Sequence, residues 1–208
     1  MGDAREDASA GPLDGVADYL ARDEVRRRFV HVGGAVFPLA YLAGLLSWDE
    51  LRIVYVLGVF LTLVLEFARL VVGLDWWVFR ELTREYERSN PAGYALYVVG
   101  STVAVLAFEP AIAVPAVLTL ALVDPVSGLL SDNEFREPKR PAVLAVTFAF
   151  AGGIALAFVP LLPALLAAAV TTLADGFTPV VRGHAIDDNL SIPIGTAMAM
   201  WVGLWLPV

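Results

Sequence analysis

The chain has 208 residues, of which 58% are hydrophobic and only 17% are charged, and its formal net charge is −8. Soluble domains carry about a quarter charged residues, so this composition argues against a water-soluble domain and indicates an integral membrane protein. The absence of cysteine excludes disulfides and thiolate metal sites, and the acidic balance argues against a nucleic-acid partner.

Seven apolar stretches approach the roughly 20 residues that a helix needs to cross a bilayer. In chain order they are Phe29–Leu46, Leu51–Gly73, Ala92–Phe108, Ala111–Leu130, Pro141–Val159, Leu161–Val181 and Leu190–Leu206. The third stretch is short, and a turn with two prolines separates the fifth from the sixth, so six and seven spans both stay open. The sequence predicts an all-α integral membrane protein, a bundle of six to seven transmembrane helices. An acidic cytoplasmic tail at 1–24 precedes a transmembrane catalytic domain at 25–208.

The distribution of basic residues predicts the orientation in the membrane. With the N-terminus in the cytoplasm, twelve Lys and Arg residues fall in inner loops and Arg52 alone falls in an outer loop. Basic residues collect on the cytoplasmic side of membrane proteins, so we expect a multi-pass protein of the cell membrane with a cytoplasmic N-terminus. The predicted outer turns are too short to form a substrate site. We therefore expect any chemistry on the cytoplasmic side.

Two charged motifs occur in the first two predicted spans. Arg28 and His31 are spaced i, i+3 at the start of span one, so they would lie on one helix face and could contact phosphate. The alternative for the arginine is a positive-inside anchor. Glu66 and Arg69 have the same spacing within span two, where a structural ion pair is the favoured interpretation. Buried intramembrane pairs nevertheless usually face a polar cavity.

Span four contains an acid near its inner end. Asp124 is followed by Pro125, which disturbs the helix backbone, and irregular backbone at this depth is tolerated mainly beside a cavity. A carboxylate there suits Mg²⁺, which binds phosphates together with one or two protein carboxylates. Lys139 and Arg140 follow in the next loop and could add positive charge for a phosphate.

The most informative motif precedes the last span. Asp187, Asp188 and Asn189 stand together where a helix cap would need only one of them. The remainder are predicted metal or nucleotide ligands. Asp175 in span six and Arg182 in the following loop extend this polar set. Because topology brings all these motifs to one membrane face, they indicate phosphoryl transfer, which needs positioning, Mg²⁺ and cationic groups.

The run from Asp187 to Pro193 resembles the signature Asp-Asp-Asn-Leu-Ser/Thr-Ile-Pro of the dolichol kinase and phytol kinase family of polyprenol kinases. Other parts of the chain resemble further elements of that family in the same order. They are Arg28 with His31, Glu66 with Arg69, Asp124 with Ser127, and Lys139. The resemblance covers about Arg27 to Met200.

This resemblance implies a kinase that uses CTP as phosphoryl donor, a long-chain isoprenoid alcohol as acceptor and Mg²⁺ as cofactor. On this interpretation Asp124, Asp187 and Asp188 hold the metal, and His31 or Asp175 is the general base. The predicted nucleotide-binding residues are Arg28, Lys139, Arg140, Asn189 and Arg182. The acceptor could be dolichol, phytol, geranylgeraniol or diacylglycerol.

Two other functions remain open from the sequence. A cytidylyltransferase acting on a lipid phosphate would use the same metal and nucleotide but would release pyrophosphate. A transporter would need a path to the outer face, which the short outer turns do not suggest.

Overall fold

The structure is a computed structural model that describes residues 29–83, 87–131, 138–177, 180–181 and 184–207. Helices form most of it, as the sequence predicted. After a helical turn at 29–33 they are α1 (Val36–Leu42), α2 (Trp48–Leu70), α3 (Trp77–Leu82), α4 (Gly93–Ala107), α5 (Pro110–Leu130), α6 (Pro141–Leu156), α7 (Leu161–Gly176) and α8 (Asp188–Trp205). Two short strands, β1 (Val180–Val181) and β2 (His184–Ala185), pair antiparallel between α7 and α8.

The lengths of the helices differ from the predicted spans. Within the described ranges, α2 and α5 are the two helices that are long and apolar enough to cross a membrane. The sixth predicted span, Leu161–Val181, is wrong at its end, because α7 stops at Gly176, Phe177 has extended backbone and Val180–Val181 form a strand. Pro179 follows two residues later in the sequence, and a proline disfavours helical backbone at the residue that precedes it.

Local sequence explains where several helices begin. The Ser47 hydroxyl accepts a hydrogen bond from the Glu50 backbone N–H at 3.3 Å, and the Glu50 carboxylate accepts one from the Ser47 backbone N–H at 2.7 Å. This reciprocal capping box starts α2. Pro110 and Pro141 occupy the first position of α5 and α6. A backbone N–H at that position would have no acceptor within the helix, so proline costs no hydrogen bond there.

Helix α5 lies at the centre of the bundle and α2 at its edge. In the most apolar 18-residue stretch of each helix, 72% of the α5 residues are buried but only 22% of the α2 residues. The α5 side chains Val114, Val117 and Leu120 are fully enclosed by the neighbouring helices. The pairs that pack closely are α7 with α8, α6 with α7, α4 with α8, α5 with α8, α2 with α4 and α5 with α6.

The edge helix α2 exposes a long apolar face. Its exposed large side chains are Ile53, Val56, Leu57, Phe60, Leu61, Leu63, Val64 and Phe67. A soluble protein rarely leaves so large a contiguous apolar surface in water. The face has the composition of a lipid-facing helix surface, and α2 has the length to match.

Helices α4 and α8 approach closely through a glycine. A Cβ on Gly100 would lie 2.8 Å from the Asn189 backbone oxygen and 2.9 Å from the Pro193 Cγ. Small residues permit this kind of backbone approach between helices. Gly100 thereby sets the position of the N-terminal turn of α8.

We expect Gly100→Ala to reduce the free energy of unfolding by about 1–3 kcal/mol, because the added methyl group must push α8 away from α4. Gly153→Ala is the matched control, since nothing lies within 4 Å of a Cβ at that helical position. That control should be neutral or stabilising by up to about 1 kcal/mol. Unfolding of both variants in detergent tests this, and equal stabilities would contradict the close α4–α8 contact.

Candidate active site

Three carboxylates from three helices meet at one end of the bundle. Asp124 lies near the end of α5, Asp175 lies near the end of α7, and Asp188 is the first residue of α8. One oxygen of each lies within 4.8 Å of the other two. We call these three residues the acidic cluster. Carboxylates this close repel one another, so the site requires compensating positive charge.

Asp175 is the most enclosed member of the acidic cluster, and its side chain has no exposed surface. Its carboxylate accepts hydrogen bonds from Ser127 Oγ at 2.5 Å, Lys139 Nζ at 2.7 Å and Thr147 Oγ1 at 3.2 Å. Ser127 belongs to α5 and Thr147 to α6. These bonds hold the end of α7 against both neighbouring helices and compensate part of the negative charge.

Lys139 is positioned by the chain that leads into α6. Its backbone N–H donates to the Gly176 carbonyl at 3.2 Å, which fixes this segment to the end of α7. Its ammonium group donates to Ser127 Oγ at 2.8 Å and forms the ion pair with Asp175. Arg140 follows as the N-cap residue of α6, so it lies at the same end of the bundle.

The N-terminal turn of α8 separates the roles of its two acids. The Asp187 carboxylate accepts hydrogen bonds from the Asn189 backbone N–H at 3.0 Å and from Nδ2 at 2.8 Å, so it caps the helix. Asp188 also accepts from both groups and in addition belongs to the acidic cluster. Asp187 was predicted as a metal ligand. The structure gives it the capping role and brings Asp175 into the acidic cluster.

Asn189 offers oxygen acceptors beside the acidic cluster. Its side chain is only 3% exposed, and its Oδ1 is buried with no hydrogen-bond partner among the described residues. Pro193 lacks the N–H that would otherwise bond to the Asn189 carbonyl in α8. A buried amide oxygen without a partner is unfavourable, so this position suits a ligand that supplies a donor or a cation.

His31 lies against α4. Its ring centroid is 5.0 Å from that of Tyr97, and the Tyr97 hydroxyl donates to the His31 carbonyl at 3.4 Å. Gly34 makes room for the phenol, because a Cβ there would lie 2.0 Å from the Tyr97 hydroxyl oxygen. His31 Nε2 is buried without a hydrogen-bond partner among the described residues.

Glu66 and Arg69 form a buried ion pair whose Nη2–Oε2 distance is 2.6 Å. Arg69 also donates to the Glu87 carbonyl at 2.8 Å and to the Asn90 carbonyl at 2.7 Å. Glu66 accepts from the Ala92 backbone N–H at 3.2 Å and from the Tyr94 hydroxyl. The pair therefore anchors the segment that leads into α4 to the end of α2.

The remaining predicted site residues have no described placement. Arg28 and Arg182 lie outside the described residues, as does the predicted tail 1–24. Sequence reasoning did not select Thr147 or Tyr97 as site residues. Thr147 is a polar residue within an otherwise apolar stretch, and Tyr97 carries a hydroxyl in the third predicted span. These features indicate only weakly that either residue belongs to the site.

The chain was compared with known proteins at the level of family, sequence and structure. No family model, curated protein or solved structure matches it. The similarity of the run Asp187–Pro193 to polyprenol kinases therefore stays a prediction from a motif.

The donor set of the acidic cluster fits a hard divalent cation. Mg²⁺ prefers oxygen ligands and is usually held by one or two carboxylates together with water and substrate phosphates. The acidic cluster supplies three carboxylates. Asn189 Oδ1, which has no hydrogen-bond partner among the described residues, supplies an uncharged oxygen at the same helix end. A cation there would also relieve the repulsion among the three acids.

Proposed function

We propose that this chain is a multi-pass membrane kinase that transfers the γ-phosphate of CTP to the hydroxyl of a long-chain isoprenoid alcohol on the cytoplasmic side of the membrane. The observation that carries this proposal is the meeting of Asp124, Asp175 and Asp188, which are distant in sequence, beside a lysine. Together with the motif at Asp187–Pro193, it provides what phosphoryl transfer requires.

Membrane insertion with more than two spans is part of the proposal. Its support is the exposed apolar face of α2, the apolar character of α4, α6 and α7, and the bias of basic residues to one set of loops. Helices α4, α6 and α7 have 15–16 residues, so some of them would cross a thinned or locally adapted bilayer. The acidic cluster would then face the cytoplasm.

The chain's own residues divide the work of catalysis. A divalent cation held by Asp124, Asp175 and Asp188 would bind phosphate oxygens and neutralise their charge. Lys139 adds a fixed positive charge at Asp175, and Arg140 adds another at the start of α6. Asn189 would orient the nucleotide through its Oδ1, which has no partner in the part of the chain that the structure describes.

The acceptor hydroxyl would attack the γ-phosphorus, forming the new P–O bond as the bond to the β-phosphate oxygen breaks. CDP leaves, and the hydroxyl proton passes to a base. Of the two predicted bases we favour His31, because its Nε2 has no partner among the described residues whereas Asp175 already accepts three hydrogen bonds. The prenyl tail would stay in the bilayer, where its apolar surface is more stable than in water.

Product analysis tests the reaction class. We expect the purified protein with CTP, Mg²⁺ and an isoprenoid alcohol to release CDP and form the lipid monophosphate. Asp188→Ala should abolish this activity because it removes a member of the acidic cluster, while Asp49→Ala, at an exposed position in the first turn of α2, should retain it. Release of pyrophosphate from CTP and a lipid phosphate would instead identify a cytidylyltransferase, and an inactive wild type with every lipid alcohol would contradict the kinase.

A further inference from the structure

The hydroxyl of Ser127 forms its hydrogen bonds outside its own helix. Hydroxyl side chains inside a helix often donate to the carbonyl four residues earlier, and Thr102, Thr119 and Thr172 do so at 2.7 Å. Ser127, which is only 1% exposed on α5, instead donates to Asp175 Oδ2 on α7 at 2.5 Å. A hydroxyl has a single proton, so the bond to Asp175 replaces a bond within the helix. Ser127 thus links two helices at the acidic cluster.

The same hydroxyl also fixes the ammonium group of Lys139. An ammonium can only donate and a carboxylate can only accept, so chemistry sets the direction of each bond. Lys139 Nζ donates to Ser127 Oγ at 2.8 Å, and Ser127 Oγ donates to Asp175. Lys139 Nζ also donates directly to Asp175 Oδ1 at 2.7 Å. The three side chains therefore form a closed ring of hydrogen bonds in which Ser127 is the uncharged member.

Anchors at both ends hold the Lys139 side chain in one direction. A lysine side chain is flexible, so an ion pair alone would let the ammonium move around the carboxylate. The backbone N–H of Lys139 is bound to the Gly176 carbonyl at 3.2 Å, and Ser127 supplies a second acceptor for the ammonium. Two of the three ammonium N–H donors bond to Ser127 and Asp175. The third has no acceptor in the part of the chain that the structure describes, and the side chain keeps 16% of its surface exposed, so this donor can bond to a ligand.

The anchored ammonium lies beside the carboxylates that would hold the cation. Asp175 belongs to both groups, since it bonds to Lys139 and is a member of the acidic cluster, whose ligand oxygens lie within 4.8 Å of one another. Asp124 and Ser127 are spaced i, i+3 on α5 and therefore share a helix face. A phosphate bound to the cation would lie close to the remaining N–H of Lys139. A charge-assisted hydrogen bond between them would be stronger than one between neutral groups.

We propose that Ser127 is a positioning residue whose hydroxyl directs the Lys139 ammonium toward a phosphate of the bound nucleotide. The identity of that ligand rests on the kinase proposed above. Ser127 acts only through Lys139 and Asp175. Without its hydroxyl, Lys139 would keep the ion pair with Asp175 but lose its direction, so the affinity for the nucleotide would fall although the ion pair remains.

Lys139 is the single lysine of the chain, so isotope-labelled lysine gives one side-chain ammonium signal in nuclear magnetic resonance spectra. We expect the ammonium protons of the full-length protein in detergent to exchange with water more slowly than those of free lysine. Ser127→Ala should speed this exchange about threefold to tenfold, the ratio for loss of one hydrogen bond. In the same variant the affinity for CTP with Mg²⁺, measured by equilibrium dialysis, should fall about tenfold, because the charge-assisted bond to phosphate is weakened.

Ser101→Ala is the matched control. Ser101 is also fully buried, and its hydroxyl has no hydrogen-bond partner among the described residues, so this variant should behave like the wild type in both measurements. Thr147→Val gives a second comparison, because it removes another hydroxyl bond to Asp175, at 3.2 Å, and leaves the bonds of Lys139 in place. The exchange rate of the Lys139 ammonium should therefore not change in Thr147→Val.

Two results would overturn the proposal. One is an ammonium exchange rate in the wild type as fast as in free lysine, which needs no variant to be measured. The other is the same CTP affinity in the Ser127→Ala and Ser101→Ala proteins. The exchange measurement uses no nucleotide, so it is independent of the kinase. Slow exchange that depends on Ser127, in a protein that does not bind CTP, would contradict the kinase and the nucleotide but retain Ser127 as the anchor of Lys139.

Discussion

Asp124→Asn is expected to reduce CTP-dependent phosphorylation of the lipid alcohol by about 100-fold or more, a loss typical of removing one preorganised electrostatic group from an active site. The substitution keeps the shape of the side chain but removes one of three charges that meet within 4.8 Å. We expect the affinity for Mn²⁺, used as a spectroscopic substitute for Mg²⁺, to fall by at least about tenfold as well. Initial rates and Mn²⁺ titration by electron paramagnetic resonance would measure the two effects.

Two further variants make this result specific. Asp49→Asn removes an acid that is 87% exposed at the start of α2, and it should leave both the rate and the Mn²⁺ affinity unchanged. Asp187→Asn should have only a small effect on Mn²⁺ affinity, because asparagine also caps helices well. If Asp187→Asn abolished Mn²⁺ binding while Asp124→Asn did not, the acidic cluster would not be the cation site.

Lys139→Met is expected to lower the free energy of unfolding by roughly 3–5 kcal/mol, the usual effect of removing one partner from a buried ion pair. The Asp175 side chain is fully enclosed, and its 2.7 Å contact with Lys139 supplies its compensating charge. Without the lysine, a carboxylate would remain in a site with little water. Equilibrium unfolding in mixed micelles would measure the change.

The double variant Lys139→Met/Asp175→Asn separates charge from packing. It should recover most of the lost stability, because the uncompensated charge is removed together with its partner. Arg52→Met is the matched single control, since the Arg52–Asp49 contact is 3.8 Å long and the Asp49 side chain is 87% exposed, so loss of this pair should change stability by no more than about 1 kcal/mol. A Lys139→Met protein as stable as Arg52→Met would mean that the lysine does not compensate Asp175.

The position of the site follows largely from order and topology along the chain. An even alternation of helices brings the ends of α5 and α7 to the same side as the starts of α6 and α8. Asp124, Asp188 and Lys139 each lie near one of these ends, so their placement at one end of the bundle could be predicted without knowing how the helices pack. The association of Glu66 with Arg69 could also be predicted, because residues spaced i, i+3 share a helix face.

Order and topology along the chain do not predict whether Asp175 or Asp187 joins the acidic cluster. Both acids stand within a few residues of a helix end, and a one-residue difference at the start of α8 decides which carboxylate caps the helix and which points to its neighbours. Capping depends on the backbone angles of Asp187, φ −74° and ψ 137°.

Thr147 illustrates why the sequence did not predict every residue that contacts the acidic cluster. Helix α6 is apolar on nearly every side, so its sequence does not indicate which face meets α7. The hydroxyl of Thr147 contacts Asp175 only because α6 packs against α5 and α7 with that face inward. The contact between Tyr97 and His31 likewise depends on the rotation of α4 against the helical turn at 29–33.

Composition and hydropathy by themselves determined that the chain is helical, where most helices begin, and which end of the bundle collects its charged groups, because these features depend on local preferences and on the alternation of helices. Tertiary structure decided that α2 lies at the edge and that Asp175 joins Asp124 and Asp188. These outcomes depend on the rotation and depth of each helix. In helices that are apolar all round, rotation and depth are set by packing between side chains and leave little trace in the sequence.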